Sequence, residues 1–183
     1  MMTNKLSPLS INSELYTIVN QLWIEAFPEN ERRNTILQKK MLAEDARFCA
    51  YILQHTDSSQ EVLGAVYLWQ FPEFVFIEHL VTAPQLRSRG FGARMITLLK
   101  ERYHTPFVLE AERPTTALSK RRIEFYQRNG FQICSKEYLQ PPYHKEGESI
   151  PMYLLTTDVN YTSDKYEEIV ALLYKEVYQI STE

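Results

Sequence analysis

The chain has 183 residues, 44% of them hydrophobic, enough for one ordinary folded domain with a full core, which excludes a disordered or collagen-like protein. Lys and Arg number 20 against 23 Asp and Glu, a net charge of −3 with both signs mixed along the chain, so no nucleic-acid or membrane partner is expected. The two cysteines, Cys49 and Cys134, form no Cys-x-x-Cys pair and no histidine cluster joins them, so reduced thiols and no metal site are expected, and without a secretory or membrane-length apolar run the expected location is cytoplasmic.

Residues 5–11 read as a short first strand, after which Asn12 or Ser13 is expected to cap a helix. Leu15, Ile18, Val19, Leu22, Trp23 and Ala26 recur at helical spacing until Pro28 ends the run. A polar second helix follows to about residue 46. Residues 48–53 and 62–71, joined across a polar turn at 55–60, read as a hairpin whose nearly continuous apolar character suits a sheet covered on both faces. Gly64 marks a bulge or a close backbone approach.

The stretch 74–102 organises the rest. An apolar strand runs to Thr82, breaks at Pro84, and gives way to a glycine-punctuated helix start over residues 87–93. Gly90 and Gly92 let an anion approach the backbone, the first-turn N–H groups of the helix lack intrahelical partners, and Arg87 and Arg89 add positive charge. Gly-x-Gly at a helix start also occurs in plain surface turns. It occurs in dinucleotide fingerprints too, for which Glu110 would be the ribose-binding acid, although Met95 stands at the third glycine position. In the strand itself, alternation puts Phe76, Glu78, Leu80 and Thr82 on one face and Ile77, His79 and Val81 on the other, unless the strand bulges.

Arg87-x-x-Gly90-x-Gly92 resembles in full the pyrophosphate loop of the GCN5-related N-acetyltransferases, written Gln/Arg-x-x-Gly-x-Gly/Ala. Leu80-Val81-Thr82-Ala83-Pro84 resembles that family's approach to the loop. The resemblance implies an α/β fold: a mixed, mostly antiparallel central sheet flanked by helices on both faces, the acyl-CoA N-acyltransferase fold, here with an extra C-terminal helix. It also implies acetyl-CoA as cofactor, held by Leu80, Val81 and Thr82 of the strand and by Arg87, Ser88, Arg89, Gly90, Phe91, Gly92 and Ala93 of the loop.

Residues 107–112 form the next expected strand, and residues 118–131 a helix stopped by Asn129-Gly130. Phe125-Tyr126 with Gly130-Phe131 a few residues on resembles the same family's fourth helix, which implies Tyr126 as the group that protonates the departing thiolate. Taken alone, Tyr126 reads as a core aromatic with a bonded hydroxyl; the glycine loop upstream turns the reading toward catalysis or cofactor contact. The Pro141-Pro142-Tyr143-His144 loop before a strand at 152–156 is long for a plain hairpin; Tyr143 either faces an acceptor or is an exposed turn residue. From Thr162 a last helix lines up Tyr166, Ile169, Val170, Leu173, Val177 and Ile180, expected to pack on its own domain, with a homodimer contact as the alternative.

These readings converge on a single-domain acetyltransferase, residues 1–183, that moves acetyl from acetyl-CoA to a primary amine acceptor. A non-catalytic acyl-CoA-binding sensor is the competing reading. For the base, Glu78 is the choice, against its reading as a buried acid paired with an arginine. Glu31, in the turn after the first helix, and Glu110 are the other acceptor-side candidates, and Glu112 is expected to pair with Arg113 or Arg122.

Overall fold

The computed structural model describes residues 3–58, 60–144 and 146–180, so that Ser59 of the polar turn and Lys145 of the 141–149 loop lie outside the described residues. The chain runs β1 (Asn4–Pro8), α1 (Tyr16–Ala26), α2 (Thr35–Glu44), β2 (Phe48–His55), β3 (Gly64–Gln70), β4 (Val75–Thr82), α3 (Phe91–Arg102), β5 (Phe107–Glu112), α4 (Ala117–Arg128), β6 (Gln132–Ile133), β7 (Tyr138–Gln140), β8 (Ile150–Thr156), α5 (Val159–Asp164) and α6 (Tyr166–Leu172). A π-helical turn, Leu173–Val177, continues α6. Two compact units carry these elements: Met1–Pro72 with Ile77–His104, and Glu73–Phe76 with Thr105–Glu183.

In the first unit the strands lie in the order β1-β2-β3-β4, with β1–β2 and β2–β3 antiparallel. Register sets the two faces of this sheet. Phe48 lies opposite Trp69 and Ala50 opposite Tyr67, and Tyr67 meets Trp23 of α1 at a ring distance of 5.9 Å, so α1 covers that face. Leu6, Leu53 and Gly64 fall on the other face and pack against Met95 of α3. Helices therefore cover both faces, which is why β2 and β3 could be apolar at almost every position.

Gly64 is a close approach and not a packing gap. A Cβ there would stand 2.6 Å from the Val81 carbonyl oxygen and 2.9 Å from Met95 Cε. The cap expected at Asn12 or Ser13 is different in the structure: α1 starts after Leu15, and Ser13 Oγ instead accepts from the Leu15 N–H at 3.2 Å in the preceding turn. Asn34 caps α2, accepting from the Leu37 N–H at 2.8 Å.

In the second unit the first residues of β4 are followed by β5, β8 and β6, with β7 also on β8, and β8 pairs antiparallel with β5, β6 and β7. The Val75 N–H donates to the Pro106 carbonyl at 2.9 Å. A reciprocal Thr116–Ser119 box starts α4, and Asn129 with the left-handed Gly130 (φ 82°) stops it where the sequence placed the stop. The single C-terminal helix expected from Thr162 is in fact α5, α6 and the π-helical turn; Asp158 caps α5 by accepting from the Tyr161 N–H at 3.0 Å. Tyr166, Ile169, Leu173 and Val177 of the expected stripe are buried in their own unit.

Gly64→Ala forces a Cβ against a backbone oxygen that cannot swing away. Thermal denaturation should show a loss of about 1–3 kcal/mol, roughly 2–10 °C in Tm; an unchanged Tm would mean the β3–β4 spacing relaxes freely.

Candidate functional site

The segment after β4 is a turn built for an exposed helix start. Pro84–Leu86 makes one 3-10 turn, anchored by buried Leu86, whose N–H donates to the Ala83 carbonyl at 2.9 Å. Ser88 (φ 63°) and Gly90 (φ 85°) are both left-handed, so the chain reverses twice around Arg89. For Ser88 that conformation costs roughly 1–2 kcal/mol, a strain the glycine at 90 avoids. Gly90 is the N-cap of α3, and the first intrahelical bond runs from the Arg94 N–H to the Gly90 carbonyl at 3.0 Å. The N–H groups of Phe91, Gly92 and Ala93 therefore precede the ladder and sit at the positive end of the helix dipole. Arg87, Ser88, Arg89 and Gly90 are exposed, and no atom of the described residues lies within 4 Å of where a Cβ on Gly90 would be. That open volume over unladdered N–H groups, in a segment that also carries exposed Arg87 and Arg89, fits a diphosphate. Gly92, by contrast, is buried in the first helical turn and does not share the open mouth.

Upstream, Leu80 and Thr82 are partly exposed and Val81 is buried. Glu78 is tied down. Arg33 Nη2 and Nη1 donate to its two carboxylate oxygens at 2.5 and 3.0 Å, and Trp69 Nε1 donates at 3.0 Å. Arg33 also donates to Gln38 Oε1 at 2.8 Å and lies over the Phe48 ring at 5.2 Å. The side chains of Arg33 and Glu78 are 2% and 1% exposed. This is the arginine-paired arrangement that stood as the alternative to Glu78 as the base.

The residue as a whole is nevertheless partly exposed, so its accessible surface lies on the backbone. His79, next in the strand, packs on α1 as well: its ring is 5.7 Å from Trp23 and 4.2 Å from Phe27. Consecutive side chains thus reach the same helical layer, Glu78 through Trp69 and His79 through Trp23. Strict alternation fails between them, as it does at a β-bulge. His79 Nε2 lies 3.1 Å from the Glu31 carbonyl, which can only accept, so Nε2 carries the proton. Burial holds its pKa below the ordinary value, with Glu78 opposing and Arg33 and Arg32 reinforcing the shift. Glu31 is consequently fixed through its backbone. A cleft of about 460 Å³ between α1 and residues 83–85 has one ionisable side chain, Glu25. An acid there does not suit a diphosphate.

In the second unit Tyr126 is buried on α4, its ring 5.1 Å from Phe125 and 5.7 Å from Phe131. Burial raises its hydroxyl pKa and Arg122 partly offsets this. Glu112 pairs with Arg122 at 3.7 Å, one of the two partners expected. Glu110 sits in a polar cluster the sequence did not announce: Tyr138 donates to one carboxylate oxygen, while Gln140 Nε2 and the Tyr178 hydroxyl donate to the other at 2.7 and 2.5 Å. Tyr143 packs on Tyr178 at 5.0 Å, so two acceptor-side candidates from separate segments share one neighbour. Arg33, Trp69, Gln140 and Tyr178 were missed because each reads as an ordinary helix-entry or core residue in its own segment.

Comparison with known proteins bears on the family and the fold. Residues 12–131 match the model of the Acetyltransferase (GNAT) family. A solved Bacteroides thetaiotaomicron protein described as a GNAT-family acetyltransferase is 33% identical, with 97% of this chain and 99% of that one covered and a TM-score of 0.90. A Bacillus subtilis acetyltransferase solved in complex with CoA has the same fold at 15% identity, covering 85% of this chain and 99% of that one, TM-score 0.59. YjbC of Bacillus subtilis (strain 168), a protein carrying an acetyltransferase name, is 26% identical over 109 residues, 58% of this chain and 53% of its own length. The chain thus spans about half the length of that relative.

Arg33→Met alone strands the Glu78 carboxylate in the core, and urea denaturation should report a loss of about 3–5 kcal/mol; combining it with Glu78→Leu should recover most of that. Equal losses in the single and double variants would show that the charge itself is not what the partner satisfies. His79 gives a second outcome. Its folded pKa is depressed, so the unfolded chain binds the proton first, and the stability it contributes is present above the ordinary value of 6.5 and lost as pH falls below it. His79→Gln should flatten that part of the stability-against-pH curve between pH 7.5 and about 5; an unchanged slope would refute the assignment.

Proposed function

Because the chain belongs to the GNAT acetyltransferase family, we propose that it moves the acetyl group of acetyl-CoA onto a primary amine by direct transfer, without a covalent enzyme intermediate. The observation that carries this reading is the mouth of α3: a left-handed Gly90, N–H groups outside the helical ladder, and exposed Arg87 and Arg89 in the segment leading into it. The N–H groups of residues 91–93 and the two guanidinium groups hold the diphosphate of the donor. Leu80, Val81 and Thr82 run alongside its pantetheine arm. Backbone N–H near Leu80 or Val81 polarises the thioester carbonyl, and holding donor and acceptor together removes up to roughly 7–11 kcal/mol of entropic barrier at ideal alignment.

Tyr126 is the donor to the leaving sulfur. A thiol has a pKa of about 8.5 and a tyrosine of about 10, and burial pushes Tyr126 further up. Complete proton transfer to the thiolate is therefore uphill by roughly 2 kcal/mol or more, so Tyr126 acts as a strong hydrogen-bond donor to developing charge. Glu78 serves as a positioning residue: locked by Arg33 and Trp69, it fixes the β4 backbone where that backbone is exposed. Both cysteines are unpaired, which suits a reducing, cytoplasmic setting. Among the described residues no helix is long and apolar enough to cross a membrane.

Release of free CoA from acetyl-CoA in a panel of amines tests the reading; a sensor would bind the cofactor and never turn it over. Gly90→Val should weaken CoA affinity at least about tenfold by calorimetry, since a β-branched residue resists φ near 85°. Tyr126→Phe should lower kcat by about 10²-fold with CoA affinity intact. Full CoA affinity in Gly90→Val would remove the loop assignment, and an unaltered kcat in Tyr126→Phe would remove the donor.

A further inference from the structure

Strand register places the surroundings of Glu110. Glu110 lies opposite Leu154 in β8, and Tyr138 and Gln140 of β7 lie opposite Met152 and Ile150. Residues 150, 152 and 154 alternate onto one face, so Glu110, Tyr138 and Gln140 share it. The C-terminal segment is laid across that same face. The Tyr166 hydroxyl donates to the Glu137 carbonyl and the Tyr174 hydroxyl to the Leu139 carbonyl, each at 2.5 Å. These two anchors bring Tyr178 to the Glu110 carboxylate, and Gln140 Nε2 bridges both, 2.7 Å from Glu110 and 2.9 Å from the Tyr178 hydroxyl.

The way Tyr178 is aimed is itself informative. The Tyr178 N–H bonds to the Leu173 carbonyl, five residues back, at 3.1 Å, closing the π-helical turn Leu173–Val177. A regular α-helix would rotate each later residue by about 100° per position, so the extra residue of the π turn redirects Tyr178. Such turns are found mostly as single insertions at functional sites. Burial and then the charge of Glu110 push the Tyr138 and Tyr178 hydroxyls well above the usual tyrosine range, so both keep their protons and act as donors.

We propose that this cluster recognises the acceptor: Glu110, held in one orientation by Tyr138, Gln140 and Tyr178, takes an ammonium group of an aliphatic organic cation, and the C-terminal helix is thereby a specificity-determining part of the protein. The three named donors are neutral groups that converge on both carboxylate oxygens, a fixed arrangement suited to a charged acceptor atom. Glu110 remains partly exposed, as does Tyr143 of the 141–149 loop, whose ring lies 5.0 Å from that of Tyr178. A carboxylate bordered by tyrosine rings is chemistry that selects an organic ammonium over a neutral isostere. The identification of this cation as the acetyl acceptor rests on the acetyltransferase reading; the binding of the cation does not. Tyr178 is a positioning residue, acting through Glu110.

Calorimetry on the full chain with 1,6-diaminohexane, using neutral 1,6-hexanediol as control, tests the site. The diamine should bind and the diol should not, with Glu110→Gln weakening the diamine at least about tenfold and Tyr178→Phe about threefold to tenfold. Tyr161→Phe removes a hydroxyl bond of the same C-terminal segment, to Glu73 at 3.4 Å, that has no part in holding Tyr178, and should leave diamine affinity unchanged. In turnover, Tyr178→Phe should raise KM for the diamine and leave KM for acetyl-CoA unmoved. Equal binding of diamine and diol, no diamine binding, or equal effects of the Tyr178 and Tyr161 variants would overturn the site. Glu110-dependent diamine binding with no CoA released would leave the site standing and sink the enzyme reading. Amine-dependent CoA release indifferent to Glu110→Gln would do the reverse.

Discussion

The buried ion pair between Arg33 and Glu78 is the contact on which the first unit's functional face depends. Removing two charges from water costs several kcal/mol per ion after relaxation, and the return is adequate only when every donor and acceptor is used. Here both carboxylate oxygens accept from the guanidinium, Trp69 adds a third bond, and Gln38 accepts from the arginine. The pair ties the entrance of α2 to the middle of β4. With Glu78 drawn to the helical layer and His79 packed there too, the strand must break its alternation, and its backbone becomes accessible. Glu78, read from the chain as the choice of base, is bonded to Arg33 and Trp69 in the core.

The phosphate mouth and the Glu110 cluster solve opposite problems. At Gly90 the protein withholds a side chain, so that in the proposed reading a diphosphate meets main-chain N–H groups, whose positions are fixed by the helix itself. At Glu110 it gathers side chains from β7 and the C-terminal segment around one carboxylate. The first device gives affinity for a shared chemical handle and is indifferent to the rest of the molecule. The second can discriminate, because a fixed carboxylate rejects partners that cannot answer its charge. That division matches a reaction in which the acyl donor is common and the acceptor is particular.

Local chemistry was legible in the chain. Pro28 closes α1, Asn129 and the left-handed Gly130 close α4, and Gly90 opens α3, each through dihedral preferences acting over a few residues. Close backbone approach at Gly64 was readable for the same reason, since glycine inside a strand signals missing room. The α1 cap was misplaced because serine and asparagine bond their near neighbours in turns as readily as they cap helices. The C-terminal helix was read as one stripe because hydrophobic periodicity does not register a break at Lys165 or a π turn.

By itself, then, the sequence determined most of the elements, the glycine at the start of α3 and the family, since all three follow from residues close together along the chain. The tertiary structure alone decided what the carboxylates do. Arg33 and Glu78 are 45 residues apart and Glu110 and Tyr178 are 68 apart, and an acid's role is set by which donors reach it after folding. Short-range preferences carry no information about such partners.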